Sequence, residues 1–229
     1  MILRTRAGRV AILLGVASAA HADPIATTLP TGGQVVRGEA SLLESGARLD
    51  VQQRSERAVI DWNSFSIGRD ATVSFSQPST DAVALNRVLS SDPSEIFGRL
   101  LAHGQVFLSN PNGVLFGSDA RVDVGGLAAT TMQIGLDDFM AGRYRFTGGR
   151  GSVVNRGHIS ASEGGLLALM APEVRNEGVL SARLGTVALA AGEAVTLQLD
   201  TGGPVAVQVD PATVGVLLEN RNLIEAPGG

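Results

Sequence analysis

The feature that most constrains the fold is an internal repeat of about 20 residues in the last third of the chain. Residues 153–173, VVNRGHISASEGGLLALMAPE, align with residues 173–193, EVRNEGVLSARLGTVALAAGE. The first half matches at a step of 21 residues, with Asn155 over Asn176, and the second half matches at a step of 20. Because one copy is too short to bury a core by itself, the copies must stack and share one.

Short segments of alternating polarity, separated by Gly, Asn and Ser corners, predict an all-β fold, a parallel β-helix in which each repeat is one coil. Neighbouring coils would lie about 4.8 Å apart, so Asn155 and Asn176 would form an amide ladder. A third copy begins at Asn220, 44 residues after Asn176, which leaves room for a degenerate coil at residues 195–210. Leucine-rich repeats share this period, but they need a helical return that these segments lack.

Upstream of the repeat, the chain contains further short strand patterns and two segments with helical signals. Ser94 would cap a short helix that ends at Gly104, and residues 136–142 would form another helical turn. Trp62 is the only tryptophan of the chain, and we expect it to anchor the core of the first coils. The opening segment lacks the repeat, so we expect it to cap the edge of the first coil.

The first 22 residues are typical of a secretory signal peptide. Arginines without acids precede an apolar stretch, and small residues at Ala20 and Ala22 mark a cleavage site before Asp23. The apolar run is shorter than the about 20 residues that span a bilayer. The predicted organisation is a signal peptide followed by a single domain, with these bounds: 1–22 signal peptide, 23–45 cap, 46–152 core and 153–229 coils.

Charge and cysteine content narrow the function classes. Lysine and cysteine are absent, and loss of residues 1–22 leaves 15 arginines against 22 acidic residues, a net charge of −7. An acidic chain without a basic stripe argues against nucleic acid as a partner. Because the chain has no cysteine, no disulfide can form that would obstruct its passage, unfolded, across a further barrier after export.

Residues 29–131 resemble the N-terminal secretion domain of two-partner-secretion exoproteins, also called the haemagglutination activity domain. Filamentous haemagglutinin and the high-molecular-weight adhesins belong to this family. The stretches that carry the resemblance are LPTGGQVVRGEASL, VIDWNSFSIGRDATVSFSQPS, AVALNRV, and QVFLSNPNGVLFG followed by VDVGGLAATT. The family's NPNG motif matches Asn110, Pro111, Asn112 and Gly113. The family's second motif, Asn-Pro-Asn-Leu, is absent, and its region holds Leu85, Asn86, Arg87 and Val88, as in the adhesin-like branch.

The resemblance implies a right-handed β-helix exported by a Gram-negative bacterium. The POTRA domains of a dedicated outer-membrane transporter would recognise it in the periplasm. The chain would then cross the outer membrane unfolded, without ATP, and fold outside as a secreted or cell-surface protein. Any binding of host cells or glycans would belong to a downstream region. Whether these 229 residues are a fragment or a complete short exoprotein stays open at this point.

The NPNG stretch predicts a tight corner before a buried strand. Pro111 fixes φ for the second position of a type I turn, and the Asn110 side chain can bond to the backbone two residues on. Gly113 can adopt a positive φ without cost. Two hypotheses remain for this motif: contact with the transporter, or a structural corner whose loss misfolds the domain.

Signals for other chemistry are weak. His103 and His158 stand apart in the sequence, so we expect no metal site, no cofactor and no enzymatic activity. The alternative is a β-helix polysaccharide lyase or hydrolase, for which Asp119 and Asp123 could be paired carboxylates. With Arg121 between them, they would equally form a solvated row of ion pairs. Repeat alignment also places Glu173 over Glu193, either as a cation site or as two solvated corner carboxylates.

Overall fold

The computed structural model describes residues 24–198, 206–210 and 217–226. Within them the chain forms short strands and a single five-residue helix. The first strands are β1 (Gln34–Arg37), β2 (Ala40–Ser45), β3 (Arg48–Gln53), β4 (Arg57–Trp62), β5 (Thr72–Ser76), β6 (Val83–Val88), β7 (Ser94–Ile96), β8 (Arg99–Ala102), β9 (Gln105–Ser109), β10 (Val114–Phe116), β11 (Arg121–Val124) and β12 (Gly126–Thr130). The remaining elements are α1 (Leu136–Met140), β13 (Tyr144–Thr147), β14 (Ser152–Asn155), β15 (His158–Ala161), β16 (Leu166–Ala171), β17 (Glu173–Asn176), β18 (Val179–Ala182), β19 (Thr186–Ala191), β20 (Ala194–Gln198), β21 (Ala206–Asp210), β22 (Leu217–Asn220) and β23 (Ile224–Glu225).

Three sheets form the walls of a β-solenoid of about six turns, as expected from the repeat. The five-stranded sheet has the order β22-β17-β14-β10-β7. The seven-stranded sheet has the order β1-β4-β6-β9-β12-β16-β19, and the eight-stranded sheet has the order β2-β3-β5-β8-β11-β15-β18-β23. One coil visits the three walls in turn, for example through β10, β11 and β12.

Within the paired strands of these coils, the register confirms the repeat alignment. Asn155 lies opposite Asn176 at a step of 21, whereas Leu169 lies opposite Leu189 at a step of 20. The step changes from 21 to 20 because the turn between β18 and β19 is one residue shorter than the turn between β15 and β16. The asparagine ladder forms as predicted: Asn155 Nδ2 donates to Asn176 Oδ1 at 2.8 Å, and Asn176 Nδ2 donates to Asn220 Oδ1 at 2.8 Å.

The first two strands differ from all later strands of the walls because they run antiparallel to their neighbours. β1 pairs antiparallel with β4 at the end of the seven-stranded sheet, and β2 pairs antiparallel with β3 at the end of the eight-stranded sheet. The backbone N–H and C=O groups at the edge of the first coil therefore bond to β1 and β2, whose antiparallel direction does not continue the stack of parallel coils.

The predicted degenerate coil at residues 195–210 is wrong. β20 and β21 form an antiparallel hairpin that joins β13 in a separate three-stranded sheet, and β17 pairs directly with β22. β20 and β21, which fall within the lengthened step from Asn176 to Asn220, thus leave the solenoid as an excursion. α1 and β13 leave it in the same way, from the equivalent corner two coils earlier, because they follow β12 whereas β20 follows β19.

The predicted helix from Ser94 to Gly104 is also wrong, because β7 and β8 occupy this segment. Both strands pair in parallel with the next coil, where Ile96 and Leu100 point into the core. The backbone N–H of Ser94 bonds to the Gly113 carbonyl at 3.0 Å and does not start a helix. The helical turn predicted at residues 136–142 is present as α1.

Two apolar clusters lie on either side of the seven-stranded sheet. Inside the solenoid, stacked aliphatic side chains fill the space between the three walls, and Trp62 is buried among them against Phe65, as expected. Outside, α1 and the three-stranded sheet cover a second cluster around Phe107. None of the described residues forms a helix long and apolar enough to cross a lipid bilayer.

The aligned pair Glu173 and Glu193 does not stack. The in-register neighbours of Glu173 are Ser152 and Leu217, and its carboxylate lies 2.7 Å from Nε of Arg175. The prediction of two adjacent carboxylates fails because Glu173 begins a strand of the five-stranded sheet, whereas Glu193 follows the last strand of the seven-stranded sheet, at the start of the excursion.

Candidate functional site

The NPNG motif forms the corner between the seven-stranded and the five-stranded walls. It joins β9 to β10, and the Gly113 N–H donates to the Asn110 carbonyl at 3.1 Å, which closes a turn of four residues. Gly113 has φ +123°, a conformation that favours glycine. The corner therefore has the tight geometry that the sequence predicts.

Asn110 is the structural centre of this corner. Its side chain is fully buried, and Nδ2 donates to the Asp92 carbonyl at 2.9 Å and to Ser94 Oγ at 3.0 Å. Oδ1 accepts the backbone N–H of Asn112 at 3.0 Å, as expected for an Asx turn. The amide thus ties its own turn to the corner of the preceding coil, where its partners lie.

Asn112 has the opposite environment. It is exposed, whereas Pro111 is half-buried and Gly113 is buried. Its Nδ2 donates to the Ser90 carbonyl at 2.8 Å, again in the preceding corner. In the folded domain, Asn112 is therefore the motif's most accessible side chain, while Asn110 is out of reach of any partner.

The second motif region, Leu85 to Val88, lies on β6 in the middle of the seven-stranded sheet. Its side chains alternate between the two apolar clusters, with Leu85 in the outer cluster and Val88 in the inner cluster. Asn86 points inward, where it lies between Ile60 and Leu108 in register. The segment is thus a strand of the scaffold, and it runs beside the start of the NPNG turn, since Arg87 lies in register with Ser109, the residue before Asn110.

Asn86 is a polar group in an apolar core, and its partners account for it. Oδ1 accepts the indole N–H of Trp62 at 3.0 Å. Nδ2 donates to the carbonyls of Ala84 and Phe107, each at 3.3 Å. The side chain is therefore satisfied without water, and it gives the buried indole the acceptor that it needs.

Arg87 faces outward beside the outer cluster and forms a two-point ion pair with Asp61 on β4. Nε lies 2.7 Å from one carboxylate oxygen and Nη2 lies 2.8 Å from the other. The side chains retain 25% and 15% of their exposure, so water screens this pair less than it screens a fully exposed pair. The ion pair links two neighbouring coils.

A second amide corner was missed by the sequence analysis. Gln77 Nε2 donates to Gln53 Oε1 at 3.2 Å and to the Gln105 carbonyl at 3.1 Å, and Gln77 Oε1 accepts the Gly104 N–H at 2.8 Å. Three successive coils contribute to this corner, two through the side chains of Gln53 and Gln77 and the third through the backbone carbonyl of Gln105. The steps between them are 24 and 28 residues, so the fixed period that revealed the asparagine ladder is absent here.

The candidate catalytic groups do not converge. Asp119, Arg121 and Asp123 are all exposed, but the predicted ion-pair row does not form, since Arg121 donates to the carbonyls of Ala120 and Ser118. Across the part of the chain that the structure describes, no three His, Asp or Glu side chains are placed to hold a metal ion. Elsewhere on the surface, a side-chain hydrogen bond from Arg48 to Asp50 raises the pKa of Arg48.

Comparison with known proteins gives consistent matches. A family profile of the TPS secretion domain matches residues 26–226. A heme/hemopexin-binding protein of Haemophilus influenzae is 34% identical over 212 residues, which cover 88% of this chain and 23% of that protein. A second heme/hemopexin-binding protein of Haemophilus influenzae is 40% identical over 119 residues, covering 52% of this chain and 13% of that protein. The chain thus spans less than a quarter of the length of these curated relatives.

Two solved structures share the architecture. The crystal structure of the HMW1 secretion domain from Haemophilus influenzae has a TM-score of 0.76 and 29% identity, covering 87% of this chain and 54% of that chain. The filamentous hemagglutinin secretion domain has a TM-score of 0.58 and 16% identity, covering 86% of this chain and 73% of that chain, which shows likeness of fold alone. With the profile spanning nearly the whole chain, the protein belongs to the TPS secretion domain family, whose members are secreted across the outer membrane with a cognate transporter.

Proposed function

We propose that this chain is a non-enzymatic export module, recognised in the periplasm by the POTRA domains of its cognate outer-membrane transporter. The observation that carries the proposal is the family match over residues 26–226 together with the NPNG corner at residues 110–113. A signal peptide at residues 1–22, outside the described residues, would bring the chain to the periplasm.

The architecture suits export of an unfolded chain that folds as it emerges. Each coil pairs only with the coils before and after it, so a coil can add to its predecessor without waiting for the distant end of the chain. The antiparallel strands β1 and β2 offer the first coil a surface on which to form. Folding from this end would draw the chain outward.

We assign heme or hemopexin binding to the rest of such exoproteins. The curated relatives are named heme/hemopexin-binding proteins, and this chain aligns with 23% and 13% of them. The role proposed for these residues is therefore transport, and the heme- or hemopexin-directed binding for which those relatives are named would lie in the other residues of a longer protein.

The test is secretion from a bacterium that carries the cognate transporter, compared with one that lacks it. We expect release of the parent chain only when the transporter is present. Release without any transporter would refute the proposal. The same assay then separates the two hypotheses for the NPNG motif, because two of its asparagines differ in burial.

Asn110→Ala and Asn112→Ala form a matched pair for that purpose. Asn110→Ala removes buried hydrogen bonds to Asp92 and Ser94, so we expect an unfolding free energy lower by about 2 kcal/mol. Asn112→Ala removes the bonds of an exposed side chain to the Ser90 carbonyl at 2.8 Å and to Asn110 Oδ1 at 3.4 Å, and it should leave the melting temperature of the purified protein close to that of the parent. If Asn112→Ala stays folded but is not released, the motif contacts the transporter. If only Asn110→Ala fails, the motif acts as a corner.

A further inference from the structure

The outer face of the eight-stranded sheet is open to solvent and carries exposed arginine side chains. On the eight-stranded sheet, exposed and buried positions alternate along β11, so every second side chain points to solvent. The seven-stranded sheet differs, because α1 and the three-stranded sheet cover its outer face. The open face contains Thr72, Ser74 and Ser160, all half-buried polar residues, and no Phe, Tyr or Trp side chain from β5, β8, β11 or β15 points outward.

The register of this sheet assembles two arginines and one histidine into one column. Arg99 on β8 lies opposite Arg121 on β11, and Arg121 lies opposite His158 on β15. All three are exposed. Adjacent rungs are about 4.8 Å apart, so the column is about 10 Å long and runs parallel to the solenoid axis. The sequence alone does not reveal this column, because the steps between its residues are unequal, 22 and 37.

The two arginines of the column lack the acidic partner that several other arginines of the solenoid have. In those cases an acid two residues away in the sequence pairs with the arginine, as in Arg48–Asp50 at 2.7 Å, Arg175–Glu173 at 2.7 Å and Arg221–Glu219 at 2.6 Å. Arg99 has Leu101 at that position, and none of the described acids lies within ion-pair distance of it. Arg121 has Asp123 there but donates to the Ala120 carbonyl at 2.9 Å.

Like charges on directly opposed strand residues destabilise a sheet. An oxyanion placed between Arg99 and Arg121 would remove this repulsion and accept charge-assisted hydrogen bonds from both guanidinium groups. His158 adds a third charge when protonated. Asp119 and Asp123 are the acids closest in sequence to the column, and they weaken its potential without pairing with it.

We propose that the column of Arg99, Arg121 and His158 binds the sulfate or phosphate groups of a linear anionic polysaccharide that lies along the solenoid axis. A flat, open face suits an extended polymer, since no pocket is required and successive anionic groups can meet successive rungs. The absence of outward aromatic rings on the described strands of this face disfavours single-stranded nucleic acid, which needs surfaces for base stacking.

The test measures binding of dextran sulfate to the purified protein by titration calorimetry at low salt, with neutral dextran as the control polymer. Arg99→Gln should weaken binding by about tenfold, the effect of losing one charge-assisted hydrogen bond. Arg48→Gln is the matched control, because it removes one arginine from the same face that is already paired with Asp50. Its affinity should equal that of the parent.

Two further variants should strengthen binding. Asp123→Asn removes a carboxylate two residues from Arg121, and His158→Arg makes the third charge of the column permanent. Circular dichroism checks the fold of each variant. Equal losses in Arg99→Gln and Arg48→Gln, or unchanged binding by Arg99→Gln combined with Arg121→Gln, would overturn the proposal. Tighter binding of a single-stranded oligonucleotide than of dextran sulfate would do the same. Transporter-dependent release of Arg99→Gln should remain normal, so this test is independent of the export function.

Discussion

The indole Nε1 of Trp62 donates a 3.0 Å hydrogen bond to Oδ1 of Asn86 in the apolar interior of the solenoid. Trp62 is 2% exposed and Asn86 is completely buried. In its column of the sheet, Asn86 lies between Ile60 and Leu108, where an aliphatic side chain would be the obvious choice. The polar residue is present because the indole N–H beside it has to be satisfied.

We predict that Asn86→Leu lowers the free energy of unfolding by about 1–3 kcal/mol, the cost of leaving a buried donor without an acceptor. Leucine has a similar volume, so lost packing contributes little. Urea denaturation followed by fluorescence measures this directly, because Trp62 is the only tryptophan of the chain.

A second substitution distinguishes the hydrogen bond from a general packing effect. Trp62→Phe introduced into the Asn86→Leu protein should cost less than Trp62→Phe in the parent, since the orphaned N–H disappears with the indole. Circular dichroism replaces fluorescence as the readout for these two proteins. Additive losses in the two single variants and the double variant would show that the pair is not coupled.

The sequence predicts the coils well where identical residues recur at a fixed step. Asn155 and Asn176 are such a pair, and their spacing predicts both the rung and the amide ladder. The glutamine corner at Gln53, Gln77 and Gln105 has unequal steps, so no periodicity reveals it. Where the repeats vary in length, only the structure shows which residues of neighbouring coils lie opposite each other.

The failures have a common physical cause. Segment 94–104 has a capping serine and a terminal glycine, yet its backbone is satisfied as two strands: β8 has parallel strands on both sides, and β7 has β10 on one side and a bridge from Ile67 on the other. Residues 195–210 have strand patterns, but their partners are β13 and each other. For residues 195–210, the local sequence pattern predicts the strands but not which strand each one pairs with. At the candidate site it likewise predicts the turn of Asn110 but not its bonds to Asp92 and Ser94.

The asparagine ladder predicts unequal effects for its members. Asn176→Ala removes a bond to Asn155 and a bond to Asn220, each of 2.8 Å, and leaves a buried amide poorly satisfied. We expect a loss of about 2–4 kcal/mol in the free energy of unfolding. Asn220→Ala removes one bond at an exposed residue and should cost about 1 kcal/mol, because water can replace it. Chemical denaturation compares them, and equal losses would argue against a cooperative ladder.

α1 and the three-stranded sheet are held on the outer face of the seven-stranded sheet by packing around Phe107. Its ring lies 5.2 Å from the ring of Tyr144, 6.0 Å from that of Phe146 and 6.2 Å from that of Phe139. Phe107→Ala should lower the free energy of unfolding by about 3–5 kcal/mol and increase proteolysis of the excursions. Leu43→Ala, at a leucine that is 53% exposed, is the control and should change the free energy of unfolding by less than about 0.5 kcal/mol. Unchanged proteolysis in Phe107→Ala would contradict the role of this ring in holding the cover.

The corners of the coils also stack, and this gives the last prediction. A Cβ on Gly178 would collide with the carbonyl oxygen of Gly157 in the coil before it, whereas a Cβ on Gly164 would meet no atom within 4 Å. Gly164 has φ +78°, so Gly164→Ala should cost about 1–2 kcal/mol from backbone conformation alone. Gly178→Ala should cost more, about 3 kcal/mol, because a backbone oxygen cannot rotate away and the two coils must separate. Thermal and urea denaturation of both variants measure the difference. A smaller loss for Gly178→Ala than for Gly164→Ala would mean that adjacent corners yield more easily than their close approach implies.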